Sequence, residues 1–597
     1  MSFSLRNSFA LLAATSAATD LYTQPCPLYG QNYPAPTGVA TSKHVEAAAQ
    51  SILDQLLKAK NETTAYGPLD TETTAFSVEF YSLDDEDALF SHHYTPTQLQ
   101  SQRTAGVEEV DSDTIYRVGS VSKLWSVYLY LLAAGHQTWN DPITKFIPEL
   151  QEISQAQEPN PTSDVDWESI TVGALASHLA GIGRDPTHAA ALSKVFGDLG
   201  IPSQGDSLSS SCGDPTLVTL PCNRSQFFTD FPTQHPIVAS YETPVYSNTA
   251  FQILGYVLEN ITGQPMHDIF NQYLVEPLNL SSTSYHPPSN PDASIVPYNT
   301  SISWWFADLL ELTPAGGYFS SANDMRKIGK AMLGSTQLDA AATRRWMKPH
   351  SFLSNRDAAA GAPWEIYRAP GEPTMMMMTK AGDLGMYSSY VVLIPELKVG
   401  FTVLSAGQSA SENTRILGDT LVDTFVPAVR AAASDEVAEV YAGGFSDEAT
   451  GSNITLSAKD TEPGLSIEEW SFGGQDVLLL LGKLKGANIT ARLYYSGLES
   501  ETSNGTVSAW RAVYQTVTRT VGPGPLSPIC DSWFTVDGLT YGGVGLDEFL
   551  VTTVEGKATS IEPRHLAVPL GIAAGKMPAR SSPASKVFSC RFAECFD

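Results

Sequence analysis

Three short stretches of the chain hold side chains that could do chemistry together. The first is Gly119-Ser120-Val121-Ser122-Lys123, followed by the apolar run Leu124–Leu132. Residues three apart on a helix are neighbours, so Ser120 and Lys123 would share a face. A serine hydroxyl is a weak nucleophile until a base takes its proton. A lysine amine can be that base where apolar surroundings disfavour its charge and lower its pKa. The second stretch is Tyr246-Ser247-Asn248. Its phenol could pass protons to a leaving group and its amide could hold a substrate amide, although Asn248 could equally cap a helix start. The third is Thr379-Lys380-Ala381-Gly382, on a strand leading out of Met375–Met378. There Lys380 would be a fixed positive charge in the cleft. Gly382 would let the backbone approach a bound carbonyl. The amide of Asp383 would then point at the developing oxyanion together with the amide of Ser120.

The order Ser-x-x-Lys, Tyr-x-Asn, Lys-x-Gly at wide separations resembles the serine β-lactamase and penicillin-binding-protein superfamily, in its class C-like branch. Two further segments carry the resemblance. Leu175-Ala176-Ser177-His178-Leu179-Ala180-Gly181 is similar to a Leu-Leu-x-His-x-Ser-Gly signature, with alanine for the second leucine and for the serine. Thr313-Pro314-Ala315-Gly316-Gly317-Tyr318-Phe319-Ser320-Ser321-Ala322-Asn323-Asp324-Met325 is similar to the Pro-Ala-Gly-Gly segment of that branch. The resemblance covers roughly residues 40–430.

The resemblance implies Ser120 as the residue that forms an acyl-enzyme and Lys123 with Tyr246 as the general-base pair. Asn248, Lys380 and Gly382 would bind substrate, and the backbone amides of Ser120 and Asp383 would form the oxyanion hole. His178 would be a structural residue. Ala381 stands where β-lactamases carry a hydroxyl residue, and Asp383 brings a negative charge beside the oxyanion amide. Both departures point to an ester or amide other than a β-lactam. The expected protein is a secreted serine hydrolase acting on a small-molecule or peptide-like acyl substrate. The alternatives are a transesterase or tailoring hydrolase of secondary-metabolite biosynthesis, and a β-lactamase-like binding protein without chemistry. The complete set of Ser, Lys, Tyr and Lys argues against the last. Gly407-Gln408-Ser409-Ala410-Ser411 lacks the second glycine of a nucleophile elbow and reads as a loop. Trp304, Trp305 and Phe306 could line a pocket or fill a core.

Several elements must position these residues. Val45, Ile52, Leu56 and Leu57 fall on one face of a helix over Lys43–Lys60. Strands are expected over Phe76–Ser91, around a turn at Asp84–Asp87, and helices from Lys123 to Gly135 and over Asn248–Thr262, Ser321–Leu333 and Thr414–Ala433. Met375–Lys380 reads as a strand and Tyr390–Leu404 as a hairpin turned at Pro395–Lys398. Beyond residue 436 the segments Ile454–Ser457, Val477–Leu481, Thr490–Tyr495, Val507–Val517, Phe534–Val536 and Glu548–Val554 read as short strands. The predicted architecture is α/β, an antiparallel sheet flanked by helices with a helical insert, plus a C-terminal all-β barrel or sandwich. The expected division is a signal peptide at 1–19, an extended arm at 20–42, a catalytic domain at 43–434 and a β-domain at 435–597.

Composition bounds the partners. The chain of 597 residues carries 64 acidic and 35 basic side chains, a net charge of −29, which disfavours nucleic acid. No run of about 18 apolar residues follows the N-terminal segment, so no membrane span is expected. Met1–Ala18 has the character of a secretory leader. Eight glycosylation sequons begin at Asn61, Asn223, Asn260, Asn279, Asn299, Asn453, Asn488 and Asn504. The cysteines are Cys26, Cys212, Cys222, Cys530, Cys590 and Cys595, an even set that fits disulfides in an oxidising compartment. Cys212 with Cys222 and Cys590 with Cys595 are close enough in sequence for local bridges. No zinc-type spacing occurs, and no metal or cofactor is called for. The sequence is silent on oligomeric state.

Overall fold

The computed structural model describes residues 25–59, 62–156, 160–185, 197–201, 212, 222–458, 462–517, 530 and 532–573. The expected signal peptide, Asn61, Cys590 and Cys595 lie outside them. The described residues divide into two compact units, one from 49–368 with 376–424, the other from 25–48, 369–375 and 425–573.

The chain enters the first unit through helix α1 (Lys43–Lys58). Its sheet is built from β1 (Ala75–Ser82), β2 (Phe90–Tyr94), β3 (Ser351–Phe352), β4 (Ala358–Ala360), β5 (Glu365–Ala369), β6 (Glu372–Leu384), β7 (Tyr387–Ile394) and β8 (Val399–Ala406). The strand order is β2-β1-β8-β7-β6-β5-β4-β3. The pairings β2-β1-β8-β7-β6 are antiparallel. Every residue of β1 and β8 is buried, including the polar alternates of β1. Glu79 on β1 survives there because Arg326 donates to its carboxylate at 3.0 Å.

Three helices surround the cleft or brace the sheet: α2 (Val121–Ala133), α3 (Thr249–Thr262) and α4 (Ala322–Leu333). Val121–Leu131 is buried without a break. A mainly apolar helix buried on every side is enclosed by the rest of its unit, and α2 is such a helix. α4 carries Arg326 and packs on β1 and β8. It starts at Ser321, whose hydroxyl accepts the Asp324 N–H. α5 (Ala410–Tyr441) is longer than the periodicity predicts and continues through Pro427.

The second unit is an antiparallel barrel. Its strands are β9 (Gly443–Asp447), β10 (Ser452–Ser457), β11 (Leu465–Phe472), β12 (Gln475–Asp476), β13 (Ile489–Thr502), β14 (Gly505–Thr516), β15 (Glu548–Val554), β16 (Lys557–Pro563) and β17 (Leu570–Ile572). They run β10-β9-β17-β16-β15-β14-β13-β11, and the pairing of β10 with β11 closes the ring, with β12 appended to β11. Closure leaves no long free edge. Ile454, Leu493, Trp510, Phe549 and Ile561 fill the interior.

Two expected strands here are helices. Val477–Leu481 lies in α6 (Val477–Lys485), because Asp476 accepts the Leu479 N–H at 2.9 Å and Gly486 ends the helix at φ 69°. The leucine run also lacks the alternation a half-buried strand needs. Phe534 and Thr535 fall in a single turn, Ser532–Thr535, with Phe534 exposed.

Among the described residues two disulfides are present, Cys26–Cys530 within the barrel unit and Cys212–Cys222 within the first unit. The first ties the N-terminal arm to a residue 504 positions away. Mass mapping of unreduced peptides should find Cys26 joined to Cys530. Cys26→Ser should lower barrel stability by about 2–4 kcal/mol, read as a lower urea midpoint of tryptophan fluorescence. An unchanged midpoint would show that the bridge does not hold the arm.

Candidate active site

The nucleophile-type serine sits where strand and helix meet. Ser120 occupies the N-cap position of α2 and is only partly buried, while Lys123 is fully buried one turn on. Gly119 has φ +50°, and a Cβ there would lie 2.7 Å from the Asp383 nitrogen. A Cβ on Gly382 would lie 2.2 Å from the Val118 carbonyl oxygen and 2.7 Å from the Ser120 nitrogen. Only glycine at both positions lets residues 118–120 and strand β6 approach so closely. The Ser389 hydroxyl fastens the contact by donating to the Val118 carbonyl at 2.6 Å. This brings the backbone amides of Ser120 and Asp383 side by side. In an antiparallel ladder alternate amides face alternate sides. Ala381 N–H leaves β6 on the side away from β7, and Asp383 N–H, two residues on, leaves on the same side.

Tyr246 closes the group from above. Its hydroxyl donates to Ser120 Oγ at 2.7 Å, and Lys123 Nζ lies 3.0 Å from the same oxygen. The Lys123 amine also donates to Asn248 Oδ1 at 2.6 Å and to the Ala315 carbonyl at 2.5 Å. A neutral amine has two N–H groups and one lone pair. With its N–H groups on Asn248 and Ala315, the lone pair is left for the Ser120 hydroxyl. Burial pushes the Lys123 ammonium down to about 8, with the Lys380 charge acting in the same direction and Tyr246 opposing it. Burial alone would raise the Tyr246 phenol, but the Lys123 and Lys380 charges outweigh it and hold it below its usual value. Their nitrogens lie 4.9 and 5.3 Å from the centre of its ring.

Local folding explains why these side chains point inward. Asn248 stands at the start of α3 but does not cap it; Ser247 accepts the Ala250 N–H instead. The Asn248 side chain is free to turn into the site, where its amide nitrogen donates to Asp185 at 2.5 Å. That bond aims its oxygen at Lys123. His178 stacks on Tyr246 with ring centres 4.6 Å apart and accepts the Ser247 N–H at Nδ1. Burial keeps the His178 imidazole well below its usual pKa, reinforced by Lys123 and Lys380. It therefore stays neutral and acts as packing and support for the Tyr246 loop.

Ser120, Lys123, Tyr246, Asn248, Lys380, Gly382 and the amide of Asp383 thus form one neighbourhood. The partners of these groups were not visible in the sequence. Asp185, the Ala315 carbonyl and Glu365 each act on a motif residue from a distant segment. The Pro314-Ala315-Gly316-Gly317 segment was the one signal for Ala315. Trp305 is fully buried core, whereas Trp304 and Phe306 are exposed, and Trp304 lies against Gly385 at the turn after Asp383. Among the described residues no group of three or more His, Cys, Asp or Glu could hold a metal ion.

Fold and site together define a class, and comparison with known proteins agrees. The signature of the family described as Beta-lactamase matches residues 77–422, more than half the chain, and this chain belongs to the β-lactamase family of serine hydrolases. A second signature, described as Beta-lactamase-like-like, C-terminal domain, matches residues 433–571. The chain is similar to a Beta-lactamase-like protein of Arthroderma benhamiae, 28% identical over 93% of this chain and 97% of that protein. It is also similar to Probable hydrolase M10 of a Phoma species, 27% identical over 76% of this chain and 74% of that protein. Among solved structures, a class C beta-lactamase aligns at 14% identity with a TM-score of 0.44, covering 64% of this chain and 96% of its own.

The paired glycines yield a direct test. Gly382→Ala should force β6 away from Ser120 and destabilise the protein by about 1–3 kcal/mol, the usual cost of overpacking. Thermal unfolding measures it, and a melting temperature equal to that of the unaltered protein would show that the close approach is not required.

Proposed function

We propose that this protein is a secreted hydrolase that cleaves an ester or amide through an acyl-enzyme on Ser120. One observation carries the reading: a single partly exposed hydroxyl lies 3.0 Å from a buried amine and 2.7 Å from a phenol. In acylation, Ser120 Oγ attacks the substrate carbonyl carbon while its proton passes to the neutral Lys123 amine. The carbonyl oxygen becomes an oxyanion held by the amides of Ser120 and Asp383. The bond to the leaving group breaks as Tyr246 gives that group its proton. Lys123 then returns its extra proton to the Tyr246 oxygen. In deacylation, water gives a proton to the same pair, its oxygen attacks the ester carbon, and Ser120 leaves with a proton from Lys123. Asn248 serves twice, as acceptor for the amine and as a polar edge for the substrate.

Export is supported by the two disulfides and by the sequons. Asn223, Asn260, Asn279, Asn453, Asn488 and Asn504 are exposed and Asn299 is half-buried. No described helix is long and apolar enough to cross a membrane. The fungal relative named as a probable hydrolase favours chemistry over a binding role. Transfer of the acyl group to another acceptor than water uses the same first step, so product analysis with and without added alcohols separates hydrolase from transesterase.

A fluorophosphonate should add one adduct, mapped to Ser120. Ser120→Ala should lose at least about a thousandfold in kcat/KM on p-nitrophenyl esters. A loss under about tenfold would refute covalent catalysis at this position. The pH profile tests the base. Lys123 must be unprotonated to accept the proton, so kcat/KM should rise with pH through a limb near 8. Lys380→Met removes a like charge that holds the Lys123 amine and the Tyr246 phenol down. Its limb should therefore move to higher pH, and a limb moving to lower pH would sink the assignment.

A further inference from the structure

One exposed tryptophan is pinned beside the oxyanion strand in a strained conformation. Trp304 has φ 65°, in the left-handed region that a bulky residue seldom adopts. Three neighbours hold it there. Arg117, fully buried and just before Val118, donates to the Trp304 carbonyl and, at 3.1 Å, to the Trp305 carbonyl. Trp305 is buried against Phe319 and Tyr387, with ring centres 5.0 and 5.9 Å away. Gly385, two residues beyond Asp383, has φ 58°, and a Cβ on it would lie 2.9 Å from the Trp304 Cβ. The backbone approach here is as close as the one between residues 118–120 and β6. Further along, a Cβ on Gly316 would lie 3.8 Å from both Leu309 Cδ1 and the Gly119 carbonyl carbon. The segment thus runs from the turn after Asp383 to the neighbourhood of Gly119, next to Ser120. Within it Ile302, Trp304, Phe306 and Leu310 are all exposed, a clustering of large apolar side chains that marks a binding surface.

The proton path gives this surface its occupant. In the serine hydrolase reading Tyr246 protonates the leaving group, and Lys380 Nζ lies 5.3 Å from the centre of the same ring. The leaving group therefore occupies the Lys380 end of β6. With the oxyanion between the amides of Ser120 and Asp383, the acyl substituent extends the other way, past Asp383 toward Gly385 and Trp304. Resting on that reading, we infer that Trp304 is a specificity residue for the acyl group and that the site takes acyl donors bearing an apolar, aromatic side chain. A flat ring beside the indole buries apolar area and stacks, and a wall already fixed in place loses little freedom on binding. The charged rim belongs to a different stretch. The Arg184 carbonyl accepts the Asn248 N–H, and the exposed Arg184 guanidinium lies 5.0 Å from the Tyr246 ring centre. Uncharged acyl donors separate the Trp304 contact from that charge.

The test uses two matched pairs of uncharged esters. p-Nitrophenyl phenylacetate and p-nitrophenyl acetate share a leaving group and differ by one ring on the acyl side. Benzyl and methyl phenylacetate share an acyl group and differ by one ring on the leaving side. The unaltered protein should have the higher kcat/KM on p-nitrophenyl phenylacetate. Trp304→Ala should lower the phenylacetate-to-acetate ratio by about tenfold and leave the benzyl-to-methyl ratio within about twofold. Trp304→Phe, which keeps a ring, should restore most of the first ratio. An unchanged first ratio in a Trp304→Ala protein that still labels at Ser120 would overturn the inference. So would a loss confined to the second ratio, which would put Trp304 beside the leaving group. Where Ser120 labels with a fluorophosphonate but no ester turns over, protection of Ser120 by boronic acids makes the same comparison. 2-Phenylethylboronic acid should protect better than ethylboronic acid, and Trp304→Ala should abolish the difference; equal protection of the unaltered protein would overturn the inference. If no ester turns over and Ser120 takes no fluorophosphonate, the hydrolase reading falls together with this one. Turnover or labelling with the wrong preference removes only the role of Trp304.

Discussion

The rest of the site is arranged around a lysine amine with no access to water. Lys123 sits on a helix buried from Val121 to Leu131, and burying an ammonium there costs several kcal/mol unless its charge is shed or balanced. Asn248 and the Ala315 carbonyl accept the two N–H groups of the neutral amine, the Ser120 hydroxyl faces its lone pair, and among the described residues no carboxylate is hydrogen-bonded to it, an arrangement suited to an amine that loses its proton readily. Lys380 sharpens the effect as a like charge across the Tyr246 ring. That second lysine has a carboxylate partner and keeps its proton. Two lysines in one cleft are thus given opposite tendencies: burial and the Lys380 charge hold Lys123 down, whereas Glu365, with Tyr246 and Asp383, outweighs burial at Lys380.

This electrostatic division depends on backbone geometry that carries no charge. Glycines at 119 and 382 let a helix start and a strand end approach until no side chain fits between them. Ser120 then shares its surroundings with the edge amides of β6, and Tyr246 reaches over both. His178 stacks on Tyr246 and accepts the Ser247 N–H, and Asp185 accepts from the Asn248 amide, which together hold this stretch in place. The chemistry-bearing side chains are few, and most of the surrounding structure restricts their freedom.

Much of the first unit was legible because its signals are local. Ser120 and Lys123 are a turn apart, and the apolar run after them can only be an enclosed helix. The hairpin turned at Pro395–Lys398 has β-type segments on both sides and a short helical turn between them, Pro395–Leu397. The barrel was legible as an all-β unit, but two of its segments were misread. In Val477–Leu481 the caps Asp476 and Gly486 outweigh a strand-like composition, and cap geometry is expressed only once the flanking backbone is placed.

From the sequence alone came the residue types and the order of the three motifs, the enclosed character of α2, and the change to an all-β C-terminal region. These follow from neighbours a few positions apart. The tertiary structure alone decided which groups act on the motif residues. Glu365 meets Lys380 because of the register between adjacent strands, Asp185 meets Asn248 across 63 positions, and Cys26 meets Cys530 across 504. Such pairings depend on the energy of the whole packed fold rather than on any local pattern, and a side chain bears no mark of the partner it will find.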